Sequence, residues 1–77
     1  MEIIILGTGC PKCKSLEKLT REVVEKSGLE ARVSKEEDIM KIMEYGVMKT
    51  PGLVVDGKVV LSGRLPSEKE LAELLTQ

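Results

Sequence analysis

The feature that most constrains this fold is an unbroken apolar run near the start of the chain, Ile3-Ile4-Ile5-Leu6, followed at once by Gly7. Three consecutive β-branched side chains favour an extended strand. Because successive side chains of a strand point to opposite faces of a sheet, such a run is typical of a strand that is covered on both faces. We therefore expect residues 2–6 to form a central strand flanked by helices.

Both cysteines of the chain follow this strand, in the segment Gly7-Thr8-Gly9-Cys10-Pro11-Lys12-Cys13-Lys14. A helix is predicted over about residues 11–27, with Pro11 suited to its first turn and Gly28 to its C-terminal stop. Cys13 continues the apolar stripe of this helix, whereas Cys10 does not. The spacing therefore predicts an exposed Cys10 and a buried Cys13. The other members of the stripe are Leu16, Leu19, Val23 and Val24.

The middle of the chain predicts a strand and a second helix. Apolar and charged residues alternate over 29–33, which indicates an edge strand with one solvated face. Ser34 followed by Glu37 matches a capping box, the sequence signature of a helix start. The helix that follows should end near Gly46. We expect it to bury Ile39, Ile42 and Met43.

The last third of the chain predicts a β-hairpin and a third helix. Asp56-Gly57 separates two apolar runs and suits a two-residue type I′ turn. A second capping box, Ser67 with Glu70, begins a helix whose apolar face is Leu71, Leu74 and Leu75. The element order is therefore βαβαββα. Since a βαβ crossover is right-handed and its strands are parallel, we expect one α/β domain over 1–77 with a four-stranded mixed sheet ordered 2-1-3-4.

Composition restricts the class of partner. Net charge is −1 and Tyr45 is the single aromatic residue, so the chain lacks the basic surface and stacking platform of nucleic-acid binders. No apolar run approaches the roughly 18 residues of a membrane-spanning helix. The chain begins Met1-Glu2 without a basic segment, which does not predict a signal peptide. We expect a cytoplasmic protein, where paired cysteines are usually catalytic or metal-binding.

Two chemistries suit the cysteine pair. A Cys-x-x-Cys at a helix N-terminus favours a thiolate, because the pKa of cysteine falls there from about 8.5 to about 3.5–7.5. Cys10 is then the nucleophile and Cys13 the resolving thiol, with Lys12, Lys14 and Lys49 adding positive charge. The alternative is a Cu(I) or zinc site, although a closed zinc site needs about four ligands and the chain has no histidine.

Cys-Pro-Lys-Cys after the first strand, with Thr50-Pro51 just before the third, resembles the thioredoxin and glutaredoxin superfamily. More narrowly, the chain is similar to small thioredoxin-like redox-active disulfide proteins of archaea and bacteria. This resemblance implies a thioredoxin-like fold of glutaredoxin size and a thiol–disulfide oxidoreductase or electron carrier without a bound cofactor. It also implies that Pro51 is cis beside the cysteines and that backbone groups of Thr50 pair with an extended substrate.

The implied partners are a protein or small-molecule disulfide and a reductase or thiol electron donor, and we expect the protein to be a monomer. Two departures concern the strand and loop before the cysteines. Gly9 stands where thioredoxins have an aromatic residue, and Ile3, Ile4 and Ile5 stand where they have a buried acid. Proton transfer to and from Cys13 then needs water or another group. A non-catalytic binding module on the same fold remains a third interpretation.

Glutaredoxins also differ from this chain, because they have an aromatic residue between the cysteines, where this chain has Lys12. Their glutathione-binding segment is replaced by Ser62-Gly63-Arg64, so glutathione use stays open. Arg64 and the lysines near the cysteines form a candidate positive rim for an acidic partner. Tyr45 is predicted to pack or to line a substrate groove, and Met40 and Met43 to lie in the core or at its edge.

Overall fold

The computed structural model describes residues 1–76, which form four strands and three helices in the predicted order. The strands are β1 (Glu2–Leu6), β2 (Arg32–Glu36), β3 (Gly52–Val55) and β4 (Lys58–Ser62). The helices are α1 (Pro11–Ser27), α2 (Ile39–Glu44) and α3 (Glu68–Leu75).

The four strands of residues 1–76 form one mixed sheet in the order β2-β1-β3-β4, which confirms the predicted topology. β1 is parallel to β2 and antiparallel to β3. In this register Ile4 lies between Ser34 and Val54, and Leu6 is paired with Gly52. The loop after β1 and the loop before β3 therefore meet at the same end of the strands.

Each face of β1 is covered by a different part of the chain. Ile3 and Ile5 pack into the main core, formed with residues of α1 and α3, among them Leu16 and Leu71. On the other face, Leu6 belongs to a smaller cluster beneath α2. Burial on both faces explains the unbroken apolar run in the sequence. The smaller cluster consists of Leu6, Ile42, Val47 and Val54, with Ile4 packed against it.

Local turn and capping signals are confirmed where the chain reverses direction. Asp56 and Gly57 both have positive φ, 49° and 84°, as a type I′ hairpin turn requires. Gly28 caps α1 in the left-handed conformation, with φ 63°. The Ser67 side chain accepts a hydrogen bond from the Glu70 amide at 3.1 Å and so caps α3. These turns and caps could be predicted because each depends only on residues that are neighbours in the chain.

The prediction for the second strand is wrong in its position. The strand runs over Arg32–Glu36 rather than 29–33, because pairing with β1 aligns Glu2 with Arg32 and Leu6 with Glu36. The Gly7 amide extends this pairing by donating to the Glu36 carbonyl oxygen at 3.0 Å. The apolar residues that precede the strand pack against the main core from the loop between α1 and β2.

The predicted start and buried face of the second helix are also wrong. Ser34 lies inside β2, and the cap of α2 is Asp38, whose Oδ1 accepts from the Met40 amide at 2.9 Å. Of the three residues predicted to face inward, Ile42 is buried, but Ile39 and Met43 are 61% and 58% exposed. The helix has six residues, so it has fewer than two turns with which to cover the sheet.

Candidate functional site

The cysteine pair lies where β1 passes into α1. Cys10 is the N-cap of the helix, in extended conformation with φ −67° and ψ 161°, and Pro11 occupies the first helical position. Cys10 and Cys13 are joined by a disulfide bond, with 5.1 Å between their Cα atoms. The first turn of α1 therefore brings the two sulfurs close enough to form a bond.

The two cysteines differ in exposure and in surroundings. Cys13 is buried, at 5% exposure, whereas Cys10 is partly exposed. The Cys13 amide donates a hydrogen bond to Cys10 Sγ at 3.3 Å. This amide is one of the N–H groups that a helix start leaves without a partner inside the helix. Together with the helix dipole, it stabilises negative charge on Cys10 once the disulfide is reduced.

Thr50 and Pro51 lie at the same edge of the sheet as the cysteine loop, because Gly52 pairs with Leu6. The Thr50–Pro51 peptide bond is cis, and Pro51 is buried. The Pro51 carbonyl accepts from the Gly63 amide at 2.9 Å, which anchors the loop to β4. No hydrogen bond within residues 1–76 uses the backbone N–H or C=O of Thr50, a partly buried residue that lies outside the strands.

Gly7 and Gly9 line the cavity beside Cys13, and Gly7 was not among the site residues predicted from the sequence. A Cβ built on Gly7 would lie 2.8 Å from Cys13 Cβ, too close for any side chain at this position. Gly9 instead needs its backbone freedom, because its φ is +89°. The two glycines before Cys10 were the available signal, but sequence alone does not separate close approach from backbone conformation.

The positively charged side chains near the site differ in whether they form ion pairs. Lys12, Lys14 and Lys49 are exposed and make no ion pair within residues 1–76. Arg64, predicted to join them in a positive rim, is instead held by Glu70, with Nη1 donating to Oε1 at 2.7 Å and Nη2 contacting Oε2. This pairing lowers the pKa of Glu70 and raises that of Arg64. Arg64 is therefore not a free charge for a partner.

An apolar groove of about 190 Å³ lies beside the site, between α2 and the loop before Pro51. Met48 is 91% exposed there, and Ile39 and Met43 are also largely exposed. Tyr45 lies outside this groove and lines a separate pocket with Glu36, Lys41 and Glu44, while Met40 is 68% exposed. The residues that line the apolar groove are Thr8, Ile39, Ile42, Met43, Val47, Met48 and Thr50.

Among residues 1–76, no group of three or more His, Cys, Asp and Glu side chains is arranged to hold a metal ion. No helix in the same range is long and apolar enough to cross a membrane.

Comparison with known proteins bears on the same site. A family model described as a thioredoxin domain matches residues 1–76. The thioredoxin of Methanothermobacter thermautotrophicus is 41% identical over 76 residues, which cover 99% of each chain. The thioredoxin of Methanocaldococcus jannaschii is 40% identical over 73 residues, or 95% of this chain and 84% of that protein. The chain therefore belongs to the thioredoxin family, with a thioredoxin-like α/β fold, and is a thiol–disulfide oxidoreductase that acts on disulfide substrates.

Proposed function

We propose that Cys10 is the nucleophile of this oxidoreductase and that Cys13 is the resolving thiol. The difference between the two sulfurs supports this assignment, because a bulky disulfide reaches the partly exposed Cys10 but not Cys13, which is 5% exposed. The hydrogen bond from the Cys13 amide to Cys10 Sγ, at 3.3 Å, is the observation that carries the proposal. It stabilises the thiolate of Cys10, which is the form that attacks.

The reaction proceeds in two exchanges. The Cys10 thiolate attacks one sulfur of the substrate disulfide, and the other substrate sulfur leaves with the bonding electrons and takes up a proton. Cys13, as a thiolate, then attacks Cys10 Sγ, and the second substrate sulfur leaves in the same way. The substrate gains two electrons and two protons, and the protein is left with the Cys10–Cys13 disulfide.

Thr50 and Pro51 form the substrate-binding wall in this proposal. The free backbone N–H and C=O of Thr50 pair with an extended segment of the substrate, as an added strand pairs with a sheet edge. The apolar groove beside Thr50 takes apolar side chains of that segment. Gly9 has no side chain next to Cys10, and Pro11 begins the helix that has Cys10 as its N-cap, which leaves the partly exposed sulfur accessible to a folded partner.

We propose that the substrate is a protein with an accessible disulfide and that a reductase or a small thiol restores the dithiol in the cytoplasm. The protein acts as a monomer. It needs no bound cofactor, because the two sulfurs hold both electrons that the reaction transfers. Lys12, Lys14 and Lys49 form an exposed positive rim that favours partners with acidic residues near the disulfide.

Trapping of the mixed disulfide tests the two roles. Cys13→Ser should accumulate a covalent complex with a protein disulfide, because the second exchange is blocked after Cys10 has attacked. Cys10→Ser is the matched control and should accumulate none. Non-reducing electrophoresis and mass spectrometry measure the adduct. Trapping by Cys10→Ser instead of Cys13→Ser would reverse the assignment, and no trapping by either variant would refute it.

A further inference from the structure

The second exchange needs a proton acceptor, because Cys13 attacks only as a thiolate. Cys13 is 5% exposed, so bulk water has little direct access to its sulfur. β1, the strand that leads to the site, presents apolar side chains and no carboxylate at Ile3, Ile4 and Ile5. The proton of Cys13 must therefore leave by a route that uses neither direct contact with bulk water nor a carboxylate on β1.

A cavity of about 120 Å³ reaches Cys13 from the side of β2. It has room for several water molecules, since one water occupies about 30 Å³ of liquid volume, and polar groups in its wall can hold them. Its lining comes from β1, the cysteine loop, α1 and the segment that includes the end of β2. The lining residues are Ile5, Gly7, Gly9, Cys13, Lys14, Glu17, Lys35 and Glu37.

Two carboxylates line this cavity, and they differ in position and exposure. Glu17 follows Cys13 by four residues on α1, which places the two side chains on the same helix face. Its side chain is 23% exposed, against 56% for Glu37. Glu17 is therefore the carboxylate more enclosed with Cys13.

Cations from two elements pair with the Glu17 carboxylate. Arg21 Nη2 lies 3.1 Å from Glu17 Oε2, and Lys35 Nζ of β2 lies 3.8 Å from Oε1. Lys35 also lies 3.4 Å from Glu37 Oε1. Lys14 is the remaining charged group in the cavity wall. Lys35 lines the cavity and Arg21 does not, so the pair with Lys35 is the one that holds the Glu17 carboxylate at the cavity, and the pair with Arg21 is not required for this.

We propose that Glu17 accepts the proton of Cys13 through water in this cavity during the second exchange. The Cys13 S–H bond breaks, water carries the proton to a Glu17 carboxylate oxygen, and the sulfur keeps the electron pair. That pair forms the bond to Cys10 Sγ as the Cys10–substrate bond breaks. The substrate thiolate leaves and is protonated, and Glu17 returns its proton to solvent. When the disulfide is reduced again, the same path supplies a proton to Cys13. This proposal rests on the roles proposed for Cys10 and Cys13.

Stopped-flow reaction of the reduced protein with a stoichiometric chromogenic aryl disulfide, dithiobis(nitrobenzoate), separates the two exchanges. The first release of coloured thiol reports attack by Cys10, and the second reports attack by Cys13. Glu17→Gln should leave the first rate within about twofold and slow the second by at least about a hundredfold, the low end of general acid–base effects. The deficit should shrink as the pH rises, because hydroxide then takes the proton.

Two controls distinguish proton transfer from a structural effect. Arg21→Gln removes an ion pair of Glu17 but keeps its carboxylate, and Glu37→Gln removes the other carboxylate of the cavity wall. Both should keep the second rate within about threefold of the wild type. An equal loss in Arg21→Gln, or a Glu17→Gln deficit that is constant with pH, would overturn the role of Glu17. A single slow release in the wild-type protein would instead contradict the proposed roles of the cysteines.

Discussion

Replacing Gly7 with alanine tests whether the close approach of the loop after β1 to Cys13 is essential. Gly7 does not have positive φ, so alanine fits the backbone and should gain about 0.4–1 kcal/mol from lower entropy of the unfolded chain. The added Cβ would lie 2.8 Å from Cys13 Cβ and also collide with Cys13 Sγ. Overpacking of this kind costs about 1–3 kcal/mol. The collision outweighs the entropy gain, because Cys13 is buried in the first turn of α1 and cannot move away.

We therefore expect Gly7→Ala to destabilise the oxidised protein by about 1–2 kcal/mol. For a domain of this size, that corresponds to a decrease in Tm of roughly 4–16 °C. Thermal unfolding followed by circular dichroism measures the change. A Gly7→Ala protein that is as stable as the wild type, or more stable, would refute the steric argument.

A double-mutant cycle assigns the cost to its source. In a Cys13→Ala background the sulfur is absent but the Cβ at 2.8 Å remains, so Gly7→Ala should cost less than it does beside cysteine without becoming neutral. Gly9→Ala is the control, because its cost comes from a φ of +89° and nothing lies within 4 Å of the added Cβ. Its effect should be the same in both backgrounds. Equal Gly7→Ala costs in both backgrounds would show that Cys13 Sγ is not the obstacle.

Two further predictions concern polar groups outside the cysteine pair. Thr20 is fully buried and its hydroxyl has no hydrogen-bond partner within residues 1–76, so Thr20→Val should raise the free energy of unfolding by about 1 kcal/mol in urea titration. A loss of stability would mean that the hydroxyl is satisfied. Glu70 has a lowered pKa because Arg64 donates to it, so the pair stabilises the fold above the ordinary value near 4.5 and loses this effect as pH falls through the folded-state pKa. NMR titration should therefore show a higher Glu70 midpoint in Arg64→Gln, and an unchanged midpoint would contradict the pairing.

Several parts of the site could be predicted from sequence because they depend on neighbouring residues. The distance of three residues from Cys13 to Leu16 placed Cys13 on the buried stripe of α1, and the structure buries it. The turn at Asp56-Gly57 also followed from local chemistry. The cap of α3 at Ser67 was predicted on the same basis, although the Glu70 side chain pairs with Arg64 rather than completing the capping box.

Other parts depended on which elements pack together. Arg64 could not be assigned to Glu70 from sequence, because both residues lie among exposed charges and their pairing depends on how β4 leads into α3. In the same way, Lys35 meets Glu17 across the gap between β2 and α1. With a strand assigned to 29–33 and a helix cap at Ser34, Lys35 is predicted in the first turn of the second helix rather than in the strand that faces the cavity.

The sequence by itself determined the order of the elements, the central position of β1 and the unequal environments of Cys10 and Cys13. Hydrophobic periodicity and turn chemistry act over a few residues, and they were sufficient for these features. The tertiary structure alone decided the register of β2, the need for glycine at position 7 and the cavity that joins Cys13 to Glu17. These features depend on distances between elements, which are set when the whole core packs and not by any short segment of the chain.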